Sequence, residues 1–128
     1  MENRSIDDIR TILRLKLEKF ISWDLRMDYL SQIKGEVIIY GAGAIGKELY
    51  KCFDNKPRAF WDANPNLSFV YGLPVYRIEE GAKLLADIEN DITVIVTPVW
   101  AFDEIRNNIN ALIGNVNVIS LEGLVEKL

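Results

Sequence analysis

The 128-residue sequence predicts an α/β fold in three layers: a parallel sheet of about four to five strands, helices on both faces, and a helical segment in front. Three observations predict it. Short apolar runs rich in β-branched residues, Val37-Ile38-Ile39-Tyr40 and Ile92-Thr93-Val94-Ile95-Val96-Thr97, lack the polar alternation of a half-exposed strand and suit strands buried on both faces. Stretches with helical spacing separate these runs, and strands alternating with helices imply crossovers in a parallel sheet. A glycine-rich turn, Gly41-Ala42-Gly43-Ala44-Ile45-Gly46, joins the first run to the first of those stretches.

Taken in order, residues 1–34 read as an N-terminal helical segment and residues 35–128 as the α/β domain. Ser5 is the expected N-cap, with Asp7 and Asp8 in the first turn, and Ile6, Ile9, Leu13, Leu17 and Phe20 follow helical spacing. The phase shifts near Ser22, and Trp23, Met27, Leu30 and Ile33 form a second stripe, so the segment is two helices or one bent helix ending near Gly35. After the glycine turn, Ile45, Leu49, Cys52 and Phe53 mark the inner face of a helix that Asp54-Asn55-Lys56-Pro57 stops. Arg58-Ala59-Phe60-Trp61 is the next strand, ending at Asp62, and Ala63-Asn64-Pro65-Asn66 is a turn. Residues 69–76 read as a short extended excursion bent at Gly72-Leu73-Pro74. Ile78, Ala82, Leu85 and Ile88 give a helix, as do Phe102, Ile105, Ile109 and Leu112. Asn115 to Ser120 is the last strand, and Leu121 to Leu128 a terminal helix.

Composition narrows the function. Apolar residues make up 49% and charged residues 27%, the mixture of a soluble globular chain. The net charge is −4 and no basic run stands out, which argues against a nucleic-acid partner. One cysteine, Cys52, and no histidine leave no Cys/His zinc site and no histidine-based triad, so no metal is expected. No stretch is long enough for a membrane span and the N-terminus lacks the layout of a signal peptide, so the expected location is cytoplasmic.

The glycine pattern Gly41-x-Gly43-x-x-Gly46 follows a strand and opens a helix, the context a dinucleotide-binding fingerprint requires. This makes the expected arrangement Rossmann-like. Gly41 permits the tight turn, Gly43 lets phosphates approach the backbone, and Gly46 lets helix pack on strand. The alternative is a loop that only makes the turn. Asp62, about 20 residues on, stands where a carboxylate would take a ribose 2′-hydroxyl, which favours NAD over NADP; equally, it suits a turn. Thr97-Pro98-Val99-Trp100 falls at the carboxyl end of the strongest strand, where Thr97 could bond a phosphate or ribose and Trp100 could line the pocket. Cys52 reads as a buried inert thiol. No tyrosine is followed four residues later by lysine, so no short-chain-dehydrogenase acid–base pair is present, and the catalytic residues stay unknown. The apolar N-terminal stripes read as partly packed on the sheet and partly a homodimer or docking surface.

Three segments together, Val37 to Leu49, Phe60-Trp61-Asp62-Ala63-Asn64-Pro65 and Gly72-Leu73-Pro74-Val75, carry a family resemblance. The chain resembles the small nucleotide-binding domain at the front of bacterial polysaccharide-biosynthesis proteins, which include nucleoside-diphosphate-sugar dehydratases and epimerases and sugar N-acetyltransferases. Redox-sensing repressors and the CoA-binding domain of succinyl-CoA ligase share much of the pattern. The resemblance implies a small-molecule nucleotide ligand, NAD or a nucleotide-sugar, with CoA a further candidate. It implies that Gly41, Gly43 and Gly46, with the intervening Ala42, Ala44 and Ile45, cradle phosphates, that Asp62 and Asn64 meet a ribose or sugar, and that Thr97 and Pro98 line the pocket. The sequence carries no second catalytic domain and no acyltransferase repeat. The expectation is a binding module of sugar or polysaccharide metabolism that is not a complete enzyme alone. The alternatives are an NAD-dependent oxidoreductase or sugar-modifying enzyme completed elsewhere, and a non-catalytic sensor or dimeric structural protein.

Overall fold

The computed structural model describes residues 5–9, 11–12, 15, 33, 35–51, 53, 57–64, 68–86, 88, 91–114 and 116–126. The chain forms strand β1 (Glu36–Tyr40), helix α1 (Ala44–Tyr50), β2 (Pro57–Trp61), β3 (Phe69–Val70), β4 (Leu73–Tyr76), α2 (Ile78–Leu85), β5 (Ile92–Val96), α3 (Phe102–Leu112), β6 (Val116–Ser120) and α4 (Leu121–Glu126). A single 3-10 turn, Val99–Ala101, leads into α3. The six strands make one sheet in the order β3-β4-β2-β1-β5-β6.

β1 lies at the centre, parallel to β2 on one side and to β5 on the other. Its apolar run is buried from Val37 to Tyr40. All five residues of β5 are buried as well, as the unbroken β-branched sequence demands of a strand covered on both faces. The side chains divide by parity. Val37, Ile39, Phe60 and Ile95 face one core, where Ile45 and Leu49 of α1 and Leu121 of α4 meet them. Ile38, Tyr40, Trp61, Val94 and Val96 face the other, against Leu85 of α2 and Ile105 and Ile109 of α3. Removing such a side chain from water is worth roughly 1.5–3 kcal/mol.

Two expectations change. The excursion over residues 69–76 is not a detour beside the sheet but two of its strands, so the sheet has six strands and is mixed. β4 runs parallel to β2, while β3 folds back antiparallel on β4, pairing Val70 with Leu73. The reason is the turn: Tyr71 at φ 51 and Gly72 at φ +77 are both left-handed, as a type I′ hairpin turn requires. Tyr71 tolerates this conformation with its ring stacked on Tyr50, centroids 5.1 Å apart. The second change is at Leu112, expected on the inner face of α3 but half-exposed; one step on, Ile113 packs into the core in its place, four residues after Ile109.

At the N-terminus, Ser5 caps as expected, its hydroxyl accepting the Asp8 N–H at 3.1 Å. Ile9 and Ile33 pack against the core on the α1 side, while Ile6 and Leu15 are exposed. Phe20, Trp23, Met27 and Leu30, on which the dimer expectation rests, lie outside the described residues, as does Cys52. Among the described residues no helix is long and apolar enough to cross a membrane.

Candidate functional site

The carboxyl ends of β1 and β5 lie side by side, and the chain leaves them in opposite directions along the sheet. Such a crevice is where open α/β sheets take ligands. A cavity of about 370 Å³ opens here. Gly41, Gly43, Ala44, Ile45 and Gly46 form one wall; Asp62 stands at the end of β2; Thr97, Pro98 and Trp100 form the other wall. Eight of the ten residues expected from sequence therefore meet at one cavity.

Each glycine of the loop answers to a different neighbour. Gly41 turns at φ +104, and a Cβ there would strike the Thr97 hydroxyl. A Cβ on Gly46 would strike the carbonyl oxygen of Gly41, so α1 rests directly on the loop backbone. Gly43 is different: its φ of −82° and ψ of −163° suit any residue, and nothing lies within 4 Å of where its Cβ would be. The protein's own packing asks for glycine at 41 and 46 and does not ask for it at 43. The Gly43 carbonyl accepts the Lys47 N–H at 3.0 Å, closing the first turn of α1. Helix geometry leaves the amides of Ala44, Ile45 and Gly46, residues that line the crevice, without intrahelical acceptors.

Asp62 is committed structurally. Its Oδ2 accepts the Ala42 N–H at 2.8 Å and its Oδ1 accepts the Asn64 N–H at 2.8 Å. The turn-forming role is thus present, and the same carboxylate also pins the glycine loop to the end of β2. The Ala42 amide is consequently not among those open to a ligand, and its methyl group is buried in the core. Each Asp62 oxygen retains acceptor capacity beyond these bonds. Thr97 is also tied inward: its hydroxyl donates to the Tyr40 carbonyl at 2.8 Å, and its N–H donates to the same oxygen at 3.0 Å. Towards a ligand the Thr97 oxygen can only accept.

Asn64 lies apart from the central cavity. It lines a second one, of about 510 Å³, beyond Asp62 at the ends of β2 and β4, together with Tyr76, Arg77 and Glu80. Asp62 borders both cavities. Arg77 was not expected from sequence; recognising β4 as a sheet strand is the signal that would have placed it beside Asp62. A third, open groove of about 820 Å³ runs along the ends of β5 and β6, bordered by Trp100, Phe102, Glu104, Ser120 and Glu122. Trp100 is common to this groove and the central cavity.

The central cavity has no lysine or arginine in its wall, and Asp62 is its one ionisable side chain among the described residues. Among the described residues, only main-chain amides border the cavity to meet a negative charge. Beneath it, burial raises the Tyr40 phenol above its usual 10.0, with the carboxylates of Asp62, Glu79 and Glu104 adding to the rise. Tyr40 therefore stays neutral at physiological pH and is no base. Among the described residues, no cluster of three metal-ligating side chains occurs. No family model matches this chain, and neither the curated proteins nor the solved structures contain a match to it.

Proposed function

We propose that the chain is a Rossmann-like nucleotide-binding module, holding the phosphates of NAD or a nucleotide-sugar against the glycine loop and serving sugar or polysaccharide metabolism without being a complete enzyme alone. The observation that carries this reading is the open position at Gly43. A Cβ on Gly41 or Gly46 would collide with the fold's own atoms, while Gly43, exposed at the edge of the cavity, has open space where its Cβ would lie. Glycine with open space beside it, at the mouth of the crevice, suits close approach of phosphate to backbone.

Strand order supports the same reading. Taken without the two-residue β3, the parallel strands run third, second, first, fourth, fifth across the sheet, the order of a dinucleotide-binding half with its successors. Asp62, acidic and at the end of the second strand, fits an unphosphorylated ribose and so favours NAD over NADP. The link to sugar metabolism rests on the sequence resemblance alone.

A thermal-shift panel of ADP, UDP, NAD, NADP, UDP-glucose and CoA tests the proposal. A binder held at a hundred times its Kd should stabilise the fold by about 2.7 kcal/mol. A folded sample that shifts with none of the six defeats it.

A further inference from the structure

The two rims of the sheet are built differently. β3 ends one of them with two residues and a left-handed turn. β6 ends the other with five, Val116-Asn117-Val118-Ile119-Ser120, none charged and none proline. It pairs with β5 along its whole length without a register shift, so it carries no bulge. Its outer main-chain groups have no strand partner among the described residues. Open edges are ordinarily blunted by lysine, proline, a bulge or shortness, and β6 has none of these. Asn117 is exposed, and Val118 and Ile119 are half-buried, although Val94 and Ile95 beside them on β5 are fully buried.

We propose that β6 pairs antiparallel with β6 of a second copy of this chain, about a two-fold axis normal to the sheet at Val118. The main-chain N–H and C=O groups of an open edge call for another strand, and this edge is self-complementary. Under the two-fold, Val118 meets Val118 of the partner subunit, Asn117 meets Ile119 of the partner subunit, and Val116 meets Ser120 of the partner subunit, so no like charges are opposed. An axis normal to the sheet also keeps the two faces in register: Val116 and Val118 stay on the α3 side and Ile119 on the α1 side. Paired strands lie about 4.8 Å apart, so a helix seated over β5 and β6 would stand about 10 Å from its counterpart, an ordinary packing distance. The charges of α3 are confined to Asp103, Glu104 and Arg106, and the run from Asn107 to Leu112 has none. Antiparallel α3 helices therefore set each acidic first turn beside an uncharged last turn, where the half-exposed Leu112 gains cover. The pairing closes on two copies, with their glycine loops at opposite edges of the joined sheet. It stands independently of the nucleotide reading.

Sedimentation equilibrium of the full chain tests this, and a dimer is the expected result. Asn117→Lys sets two lysines diagonally across the axis and should raise the dimer Kd at least about tenfold. Phe69→Lys puts the same charge on the opposite, β3 rim, where Phe69 is exposed, and should leave the Kd unchanged. Leu112→Glu should weaken the dimer more than Leu112→Lys, because the acidic first turn of the partner helix stands opposite. Far-ultraviolet dichroism of each variant separates lost folding from lost association, and the Leu112 pair supplies the test if Asn117→Lys does not fold. A chain that is monomeric at every concentration, a dimer that Asn117→Lys leaves intact, or one that Phe69→Lys breaks equally, overturns the proposal. A mass that keeps growing beyond the dimer with concentration overturns the closed two-fold. Equal weakening by glutamate and lysine at position 112 overturns the antiparallel placement of α3.

Discussion

Gly43 and Gly46 stand three positions apart in one loop and should respond to substitution in opposite ways. Gly46→Ala drives a methyl group into the Gly41 carbonyl, a collision with backbone that has nowhere to move, and should cost about 1–3 kcal/mol in denaturant unfolding. Gly43→Val meets open space in an extended conformation that valine favours, and should change stability by less than about 0.5 kcal/mol. It should nonetheless abolish the thermal shift given by any nucleotide that the unsubstituted protein binds. Undiminished binding by Gly43→Val would show that phosphate does not approach this backbone. Asp62→Ala strips acceptors from the Ala42 and Asn64 amides at once and should destabilise by about 2 kcal/mol, read from the urea midpoint. The strand–turn–helix around the glycine loop was legible in the sequence because its residues are contiguous and follow directly on a β-branched run. The use of the Ala42 amide was not, because its partner lies twenty residues away and the bond exists only once β1 and β2 are side by side.

Among the elements, the strands with continuous β-branched runs were the most readable. β1 and β5 have no polar face to betray a different environment, and their neighbours follow from alternation with helices. β3 and β4 were harder, with two and four residues and a glycine and a proline between or within them. Nothing local says that Phe60 and Trp61 will pair with Val75 and Tyr76, and that pairing turns an excursion into an edge of the sheet. Arg77, Glu104 and Glu122 escaped the sequence reading for the same reason, since each enters a cavity through the assembly of separate strand ends. The hairpin depends on its turn. Gly72→Val would force a β-branched residue to positive φ and should cost about 1–3 kcal/mol, with loss of the Tyr71–Tyr50 stack visible in near-ultraviolet dichroism. An unchanged melting curve for that variant would mean that the hairpin contributes little to the fold.

At the scale of the molecule, alkaline pH should expose the buried Tyr40. Its phenol titrates above 10.0 in the folded protein and near the ordinary value when unfolded. The folded state therefore favours the protonated phenol. The associated stability is complete below pH 10, where both states are neutral, and declines as pH rises through the folded value. Tyr40→Phe should flatten the loss of stability above pH 10, and a decline as steep as in the unsubstituted protein would assign it to other groups. The outer margin of the sheet has a further consequence. β3 ends the sheet with only two residues, and the chain turns sharply away at Tyr71 and Gly72. An invading polypeptide would find no more than a rung or two of main chain to grip, too little to seed growth of the sheet from that side. The fold thereby gains a self-terminating rim where a longer, flatter strand would have been an invitation to fibres.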